Sequence, residues 1–158
     1  MNTVIPEGTT RIGDDAFWGR WGLEHINLPN TVKEIGMHAF AFCFLKEITL
    51  PEGVEKIETE AFWSTDLASV TLPASLKTLE DGIFMECTQL TKVTVHNQSP
   101  LAISDGEIFS NRANATLYVP AGSKKAYKAA SIWKEFKGIV EAEHNSVYSY
   151  DLTAYLGV

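Results

Sequence analysis

Pro29-Asn30-Thr31-Val32-Lys33-Glu34-Ile35-Gly36-Met37-His38-Ala39-Phe40-Ala41-Phe42-Cys43-Phe44-Leu45-Lys46-Glu47-Ile48-Thr49-Leu50-Pro51 is one complete unit of an internal repeat. Its apolar residues fall into two groups. Leu45, Ile48 and Leu50 form one, and the two-residue step from Ile48 to Leu50 across a polar residue is the period of a strand. Pro51 then ends that strand, because proline cannot donate a ladder hydrogen bond. Val32, Ile35, Ala39 and Phe40 form the other group, too short for a long helix. It reads as a brief extended piece followed by a tight turn.

Copies of this unit run through most of the chain. Pro6, Pro29, Pro51 and Pro73 step by 23, 22 and 22 residues, as do Phe17, Phe40, Phe62 and Phe84. Leu23, Leu45, Leu67 and Leu90 step by 22, 22 and 23. Three markers sharing one period is the signature of repeat architecture. A unit this short cannot bury its own apolar face, so stacked units must share one continuous core, with parallel strands about 4.8 Å apart. The expected fold is an α+β repeat solenoid: a leucine-rich-repeat coil with a parallel sheet on one face and a short C-terminal helical cap.

The run from Leu23 to Cys43, with Leu-x-x-Ile-x-Leu-Pro, then Val-x-x-Ile-Gly, then Ala-Phe-x-x-Cys, resembles the BspA-like leucine-rich repeats of bacterial surface proteins. The run from Leu117 to Phe136 resembles the C-terminal capping segment of the same family. What the resemblance implies is a secreted or surface-anchored binding module, without a site that transfers residue by residue. The solenoid is expected over 1–140: four repeats to about residue 95, an irregular fifth unit over 96–120, and a cap over 121–140. In the fifth unit Ile108 replaces the usual Ala before Phe109, and Thr116 to Val119 gives a fifth strand. In the cap, Ser123 reads as an N-cap. Tyr127, Trp133 and Phe136 read as the lid over the last core layer, and Ile139 and Val140 as a final short strand. Residues 141–158 keep no period, although Val147, Tyr150, Leu152, Tyr155 and Leu156 are apolar, and their structure is left open.

A net charge of −7 argues against nucleic acid as partner, since phosphate contacts need a basic face. Lys124, Lys125, Lys128, Lys134 and Lys137 cluster against Glu135 alone and read as a solvated helix face. No apolar run approaches the roughly 20 residues of a membrane helix. Met1 leads into Asn2-Thr3-Val4-Ile5-Pro6 without the basic start and apolar core of a signal peptide. That suits either an intracellular protein or a mature segment cut out behind a new Met, and a repeat that begins without a cap favours the second.

Catalytic signatures are missing from the sequence. His25, His38, His96 and His144 hold no metal-ligand spacing. The acids Asp14-Asp15, Glu58-Glu60 and Glu80-Asp81 recur in the turn before the repeat Phe, which marks them as solvated turn residues and not an acid/base pair. No Gly-x-Ser-x-Gly elbow or phosphate loop occurs. Cys43 and Cys87 lie two repeats apart, about 10 Å, too far for a disulfide, and read as buried core residues. No cofactor, metal or enzyme activity is therefore expected.

Two surfaces are candidates for recognition. Outward positions of the strands form one ladder of His25, Glu47, Ser69, Lys92 and Thr116, and another of Asn27, Thr49, Thr71, Thr94 and Tyr118. On this face His25, Glu47, Lys92 and Tyr118 are the residues not explained by strand chemistry alone. The second surface is an edge of Trp18, Trp21, Phe42, Phe44 and Trp63, residue types that anchor interfaces and stack on sugars. The alternative is that these rings stack on one another to close the edge. The expected function is non-enzymatic recognition of a protein or glycan partner through one of these surfaces. A structural spacer or self-association segment of a larger surface protein is the second reading.

Overall fold

The computed structural model describes residues 3–143, so the apolar members of the tail lie outside the described residues. The chain winds as a stack of short coils whose strands pair only with their counterparts one coil away. Strands β1 (Thr3–Val4) and β3 (Ile26–Asn27) pair as a two-stranded parallel sheet. Strands β6 (Ser69–Leu72), β8 (Lys92–Val95), β9 (Thr116–Val119) and β10 (Gly138–Glu141) form a separate four-stranded parallel sheet at the same repeat position, and the two together are here the first sheet. The second coil contributes a single bridge, Thr49 to Thr71. The sheet is therefore narrow in its first half and four residues wide in its second.

A second parallel sheet runs through β2 (Arg11–Ile12), β4 (Glu34–Ile35), β5 (Lys56–Ile57) and β7 (Thr78–Leu79). This is the brief extended half of each repeat. Its strands are two residues long, too short for a period to show in sequence, so this second row of strands goes beyond the single sheet face expected. Ile12, Ile35, Ile57 and Leu79 point inward along it and are buried. Gly36 sits here because a Cβ would lie 2.8 Å from both the Asp14 amide nitrogen and the Ile12 carbonyl oxygen. Only glycine allows that approach of coil to coil.

The turn after each second-sheet strand holds the repeat phenylalanine. Phe17, Phe40, Phe62, Phe84 and Phe109 form one offset stack with centroid spacings of 5.2, 5.3, 5.5 and 5.5 Å and nearly parallel rings. Backbone bonds fix the spacing: the amides of Phe17, Phe40, Phe62 and Phe84 donate to the next coil at 2.7–3.0 Å. Each turn also contains two left-handed residues in register, at Asp15, His38, Glu60 and Gly82, and at Gly19, Phe42, Ser64 and Glu86. Such conformations cost non-glycine residues about 1–2 kcal/mol each and persist because the stack determines them.

The C-terminal end is closed. Trp133 and Phe136 each approach Phe109 at 5.2 Å, and Tyr127 meets Trp133 edge-on at 5.3 Å. The lid is bonded to the irregular fifth unit, the Tyr127 hydroxyl donating to Asn97 O (2.7 Å) and Trp133 Nε1–H to Leu101 O (2.8 Å). Helix α1 (Lys124–Ala129) follows Ser123, whose side chain makes no capping bond and instead donates back to Pro120 O at 2.6 Å. Ser123 therefore tightens the turn before the helix and does not cap it. The final strand β10 extends to Glu141, one residue into the segment left open by the sequence.

Candidate functional site: the sheet face and the aromatic edge

From Ser69 to Thr116 and from Thr49 to Tyr118 the outward ladders of the first sheet are in register. Ser69 pairs with Lys92 and Lys92 with Thr116; Thr71 pairs with Thr94 and Thr94 with Tyr118. Alternation along a strand sends Val70, Leu72, Val93 and Val95 into the core and leaves these residues outside. His25 Nδ1 lies 3.4 Å from Glu47 Oε1, and Lys92 Nζ sits 5.0 Å from the centre of the Tyr118 ring. The four residues singled out on this face thus form two pairs, one at each end of the sheet.

A hollow of about 270 Å³ lies over the strands, and separate hollows of about 620 and 300 Å³ lie where the strands end at Pro51, Pro73 and Pro120. The first shares Thr49 and Thr71 with the second, and the second shares His96 with the third. Tyr118 and Val140 line the far end. His96 Nδ1 stands 3.4 Å from Glu52 Oε1 at the middle hollow.

The aromatic edge divides into two parts. Trp18, Phe42 and Trp63 interlock, Phe42 meeting Trp18 at 5.6 Å and Trp63 at 4.6 Å with rings steeply tilted. Trp18, Ala41 and Trp63 hold one position in successive coils, each following the repeat Phe. The small Ala41 leaves a gap, and Phe42, turned by its left-handed backbone (φ 59°), fills it. Trp63 is further anchored by Nε1–H donating to Glu86 Oε2 at 3.0 Å. Trp18, Trp21 and Phe44 nevertheless remain 55%, 68% and 49% exposed. Ring-on-ring packing accounts for Phe42 and Trp63 and leaves those three large apolar side chains in solvent.

The turn acids do more than face water. Arg11 bonds Asp14 at 2.8 Å and Glu58 at 2.7 Å, and the Met37 amide donates to both carboxylates. Glu80 accepts from the Thr59 amide and hydroxyl, and Asp105 from the Gly82 amide. These carboxylates satisfy amides that the turns leave unpaired. The Arg11 bond, then the Met37 amide, hold the Asp14 carboxyl below its ordinary value. His38 is clasped at the left-handed position, Nε2 2.7 Å from Glu60 Oε2 and Nδ1 3.3 Å from Asp15 Oδ1. The reading of these acids as merely solvated is corrected: they join coil to coil. Apart from the Arg11–Asp14 pair, their partners lie 21 to 47 residues away in sequence, so nothing local shows those bonds.

The cysteines are free and buried, their thiols donating to Phe17 O (2.9 Å) and Phe62 O (3.0 Å) of the preceding coil. Burial pushes the Cys43 thiol up to about 11 and raises Cys87 as well. Both are therefore neutral, poor nucleophiles. Among the described residues no three His, Cys, Asp or Glu converge as metal ligands, and no helix is long and apolar enough to cross a membrane. The cap lysines Lys125, Lys128, Lys134 and Lys137 are exposed, while Glu135 turns to Arg112 at 2.8 Å.

Three solved bacterial proteins share this architecture. A leucine-rich repeat protein of Treponema pallidum is 23% identical, with a TM-score of 0.68 over 88% of this chain and 68% of its own. The pneumococcal vaccine antigen PcpA is 22% identical, with a TM-score of 0.71 over 90% of this chain and 42% of its own. A leucine-rich repeat protein of Bacteroides ovatus is 23% identical, with a TM-score of 0.57 over 89% and 49%. At this identity the likeness is one of fold, and the chain spans less than half the length of two of the three. No curated protein sequence matches it. The BspA type leucine-rich repeat region matches residues 3–130 in six copies, with the Pro, Ile, Phe and Leu ladders described above as its core, and the chain belongs to that family.

Proposed function

We propose that this chain is a non-enzymatic recognition module of a secreted or surface-exposed protein, which binds a protein or glycan partner through the aromatic edge. The observation that carries this reading is the exposure of Trp18, Trp21 and Phe44 together on one edge. The core closes without them, and exposed aromatic residues are what desolvates well on contact with a partner. The sheet face, with His25, Glu47, Lys92 and Tyr118, is the second candidate surface. The family's association with bacterial surface proteins supports the location.

The test is binding to a panel of purified extracellular glycoproteins, each with and without enzymatic removal of its glycans. Trp21→Ala with Phe44→Ala should lower the affinity for a bound glycoprotein at least tenfold and leave the melting temperature nearly unchanged. Unchanged affinity would reject the aromatic edge. Loss on Glu47→Ala, Lys92→Ala and Tyr118→Ala instead would move the contact to the sheet.

A structural reading, as spacer or self-association segment, is favoured by the same exposed rings, which would pair between copies. Light scattering over a concentration series separates the two. A concentration-dependent mass abolished by the Trp21→Ala, Phe44→Ala pair supports association, and a constant monomer mass rejects it.

A further inference from the structure

We propose that an apolar groove on the C-terminal cap, bordered by lysines, receives the aromatic edge of another copy of this chain, so that copies associate head to tail. The inference rests on reading the exposed rings of that edge as a contact surface. The groove lies between the irregular fifth unit and α1, with a volume of about 510 Å³ and walls that include Leu101, Ile103, Ala126, Ala129 and Ala130. No charged side chain lines it. Ala126 and Ala129 are exposed, while Tyr127 and Trp133 beneath them are buried. The lid is complete without an occupant, so the groove is a recess outside a finished core.

Unmatched lysines border the recess. Lys125 and Lys128 stand beside the lining alanines on α1, and the Lys134 amide donates to Ala130 O at 3.0 Å. All three are exposed and form no ion pair among the described residues, whereas Lys46, Lys56, Lys77 and Arg112 each meet a carboxylate. Over the two segments that form the groove, residues 97–137, five lysines and Arg112 face Asp105, Glu107 and Glu135. Glu141, just beyond, accepts the Lys124 amide at 3.1 Å. The groove region is thus net positive in a chain of net charge −7. Its complement is a surface that carries large apolar side chains next to carboxylates.

Such a surface stands at the other end of the same chain. Residues 1–96 hold fourteen acids against seven lysines and arginines. Trp21, Phe44 and Asp66 occupy one position in three successive coils, each four residues after the repeat Phe, so two exposed rings lead to an exposed carboxylate. Asp15 and Glu86 are exposed in the same turns, and the cations there are Arg20 and Lys46, the latter 3.4 Å from Glu24. Four strand spacings, about 19 Å, separate β3, which follows Trp21, from β9, which precedes the cap. The coils stacked between them prevent a chain from seating its own rings in its own groove. The occupant is therefore a second copy, and the contact is heterologous, able to repeat from chain to chain.

Sedimentation velocity of the chain over a concentration series tests this. A contact of three rings with one groove belongs to the small, transient class, under about 1,200 Å² in total, so the series extends to ~500 μM. The expected mass rises with concentration beyond that of a dimer. Lys125→Glu with Lys128→Glu, and separately Trp21→Ala with Phe44→Ala, should each leave a monomer with nearly the parent melting temperature. Ala129→Trp, which fills the groove at unchanged charge, should do the same and controls for the added negative charge of the lysine variant. Mixed in equal amounts, the lysine variant and the ring variant should form a dimer and nothing larger, because one intact edge meets one intact groove. A wild-type monomer throughout the series overturns the proposal and leaves the edge to a different partner. Association that survives both cap variants and is lost only with the rings also overturns it, in favour of ring-to-ring pairing, as does a mixture that stays monomeric.

Discussion

Phe42 shows how a single residue can be both strained and structural. Its φ of 59° is unfavourable for any bulky side chain, yet this conformation aims the ring between Trp18 and Trp63, where Ala41 leaves room. Gly19 occupies the same position one coil earlier without strain. Phe42→Ala and Phe42→Gly should therefore reverse the usual order, the glycine variant being more stable by about 0.5–1 kcal/mol because it alone adopts a positive φ freely. Urea unfolding of the two variants checks this. The buried acids Cys43 and Tyr127 belong to the same scale. Burial raises the first from 9.0 to about 11 and the second from 10.0 to about 12. Each group contributes stability below its unfolded value that is lost as pH rises through the folded one, roughly 2–3 kcal/mol apiece. Stability should thus decline between pH 9 and 12. Cys43→Thr, which copies the buried Thr65 of the next coil, should reduce the lower part of that decline, to which the raised Cys87 also contributes. Denaturant titrations at stepped pH read the difference.

At the scale of the element, the phenylalanine stack ties neighbouring coils together. Removing a ring in the middle opens a cavity in contact with two neighbours, so Phe62→Ala should cost about 3–5 kcal/mol. Phe17→Ala, at the partly exposed end, should cost less than half of that in the same thermal or urea measurement. The stack was legible because the step from Phe40 to Phe62 repeats an identity. So were the ladders on the first sheet, where Asn27, Thr49 and Thr71 each stand two residues before a proline. The second sheet was less legible, since two residues such as Glu34 and Ile35 carry no period. The coil-to-coil bonds of Asp14, Glu58 and Glu80 were not legible at all. An acid that accepts the amide of a residue on another coil has the same sequence as one that faces water.

Taken whole, the molecule is a one-dimensional array in which each coil packs on its neighbours and a lid of Tyr127, Trp133 and Phe136 ends the series. Among the ion pairs described, only Arg11, two coils before Glu58, and His96, two coils after Glu52, reach further. Period and lid could be read directly, because each is a matter of which residue type recurs and where the pattern gives way. The exposed set on the aromatic edge could not. Trp18, Trp21, Phe42, Phe44 and Trp63 look alike in sequence, and only the geometry separates the two rings that packing accounts for from the three left in solvent.

The forward-donating amides of Phe17, Phe40, Phe62 and Phe84 lie along the stacking axis, and so do the ladder bonds of both sheets. A tensile load applied between the two ends of the chain is then borne by the bonds of one coil boundary at a time, which peel in turn and do not share the force. Each released coil of 22 residues lengthens the chain by about 70 Å, the extended span less one strand spacing. Single-molecule extension should show a regular series of weak ruptures at that interval, followed by one of different height when the lid yields. As part of a tethered surface protein, such a segment would act as a stepwise shock absorber.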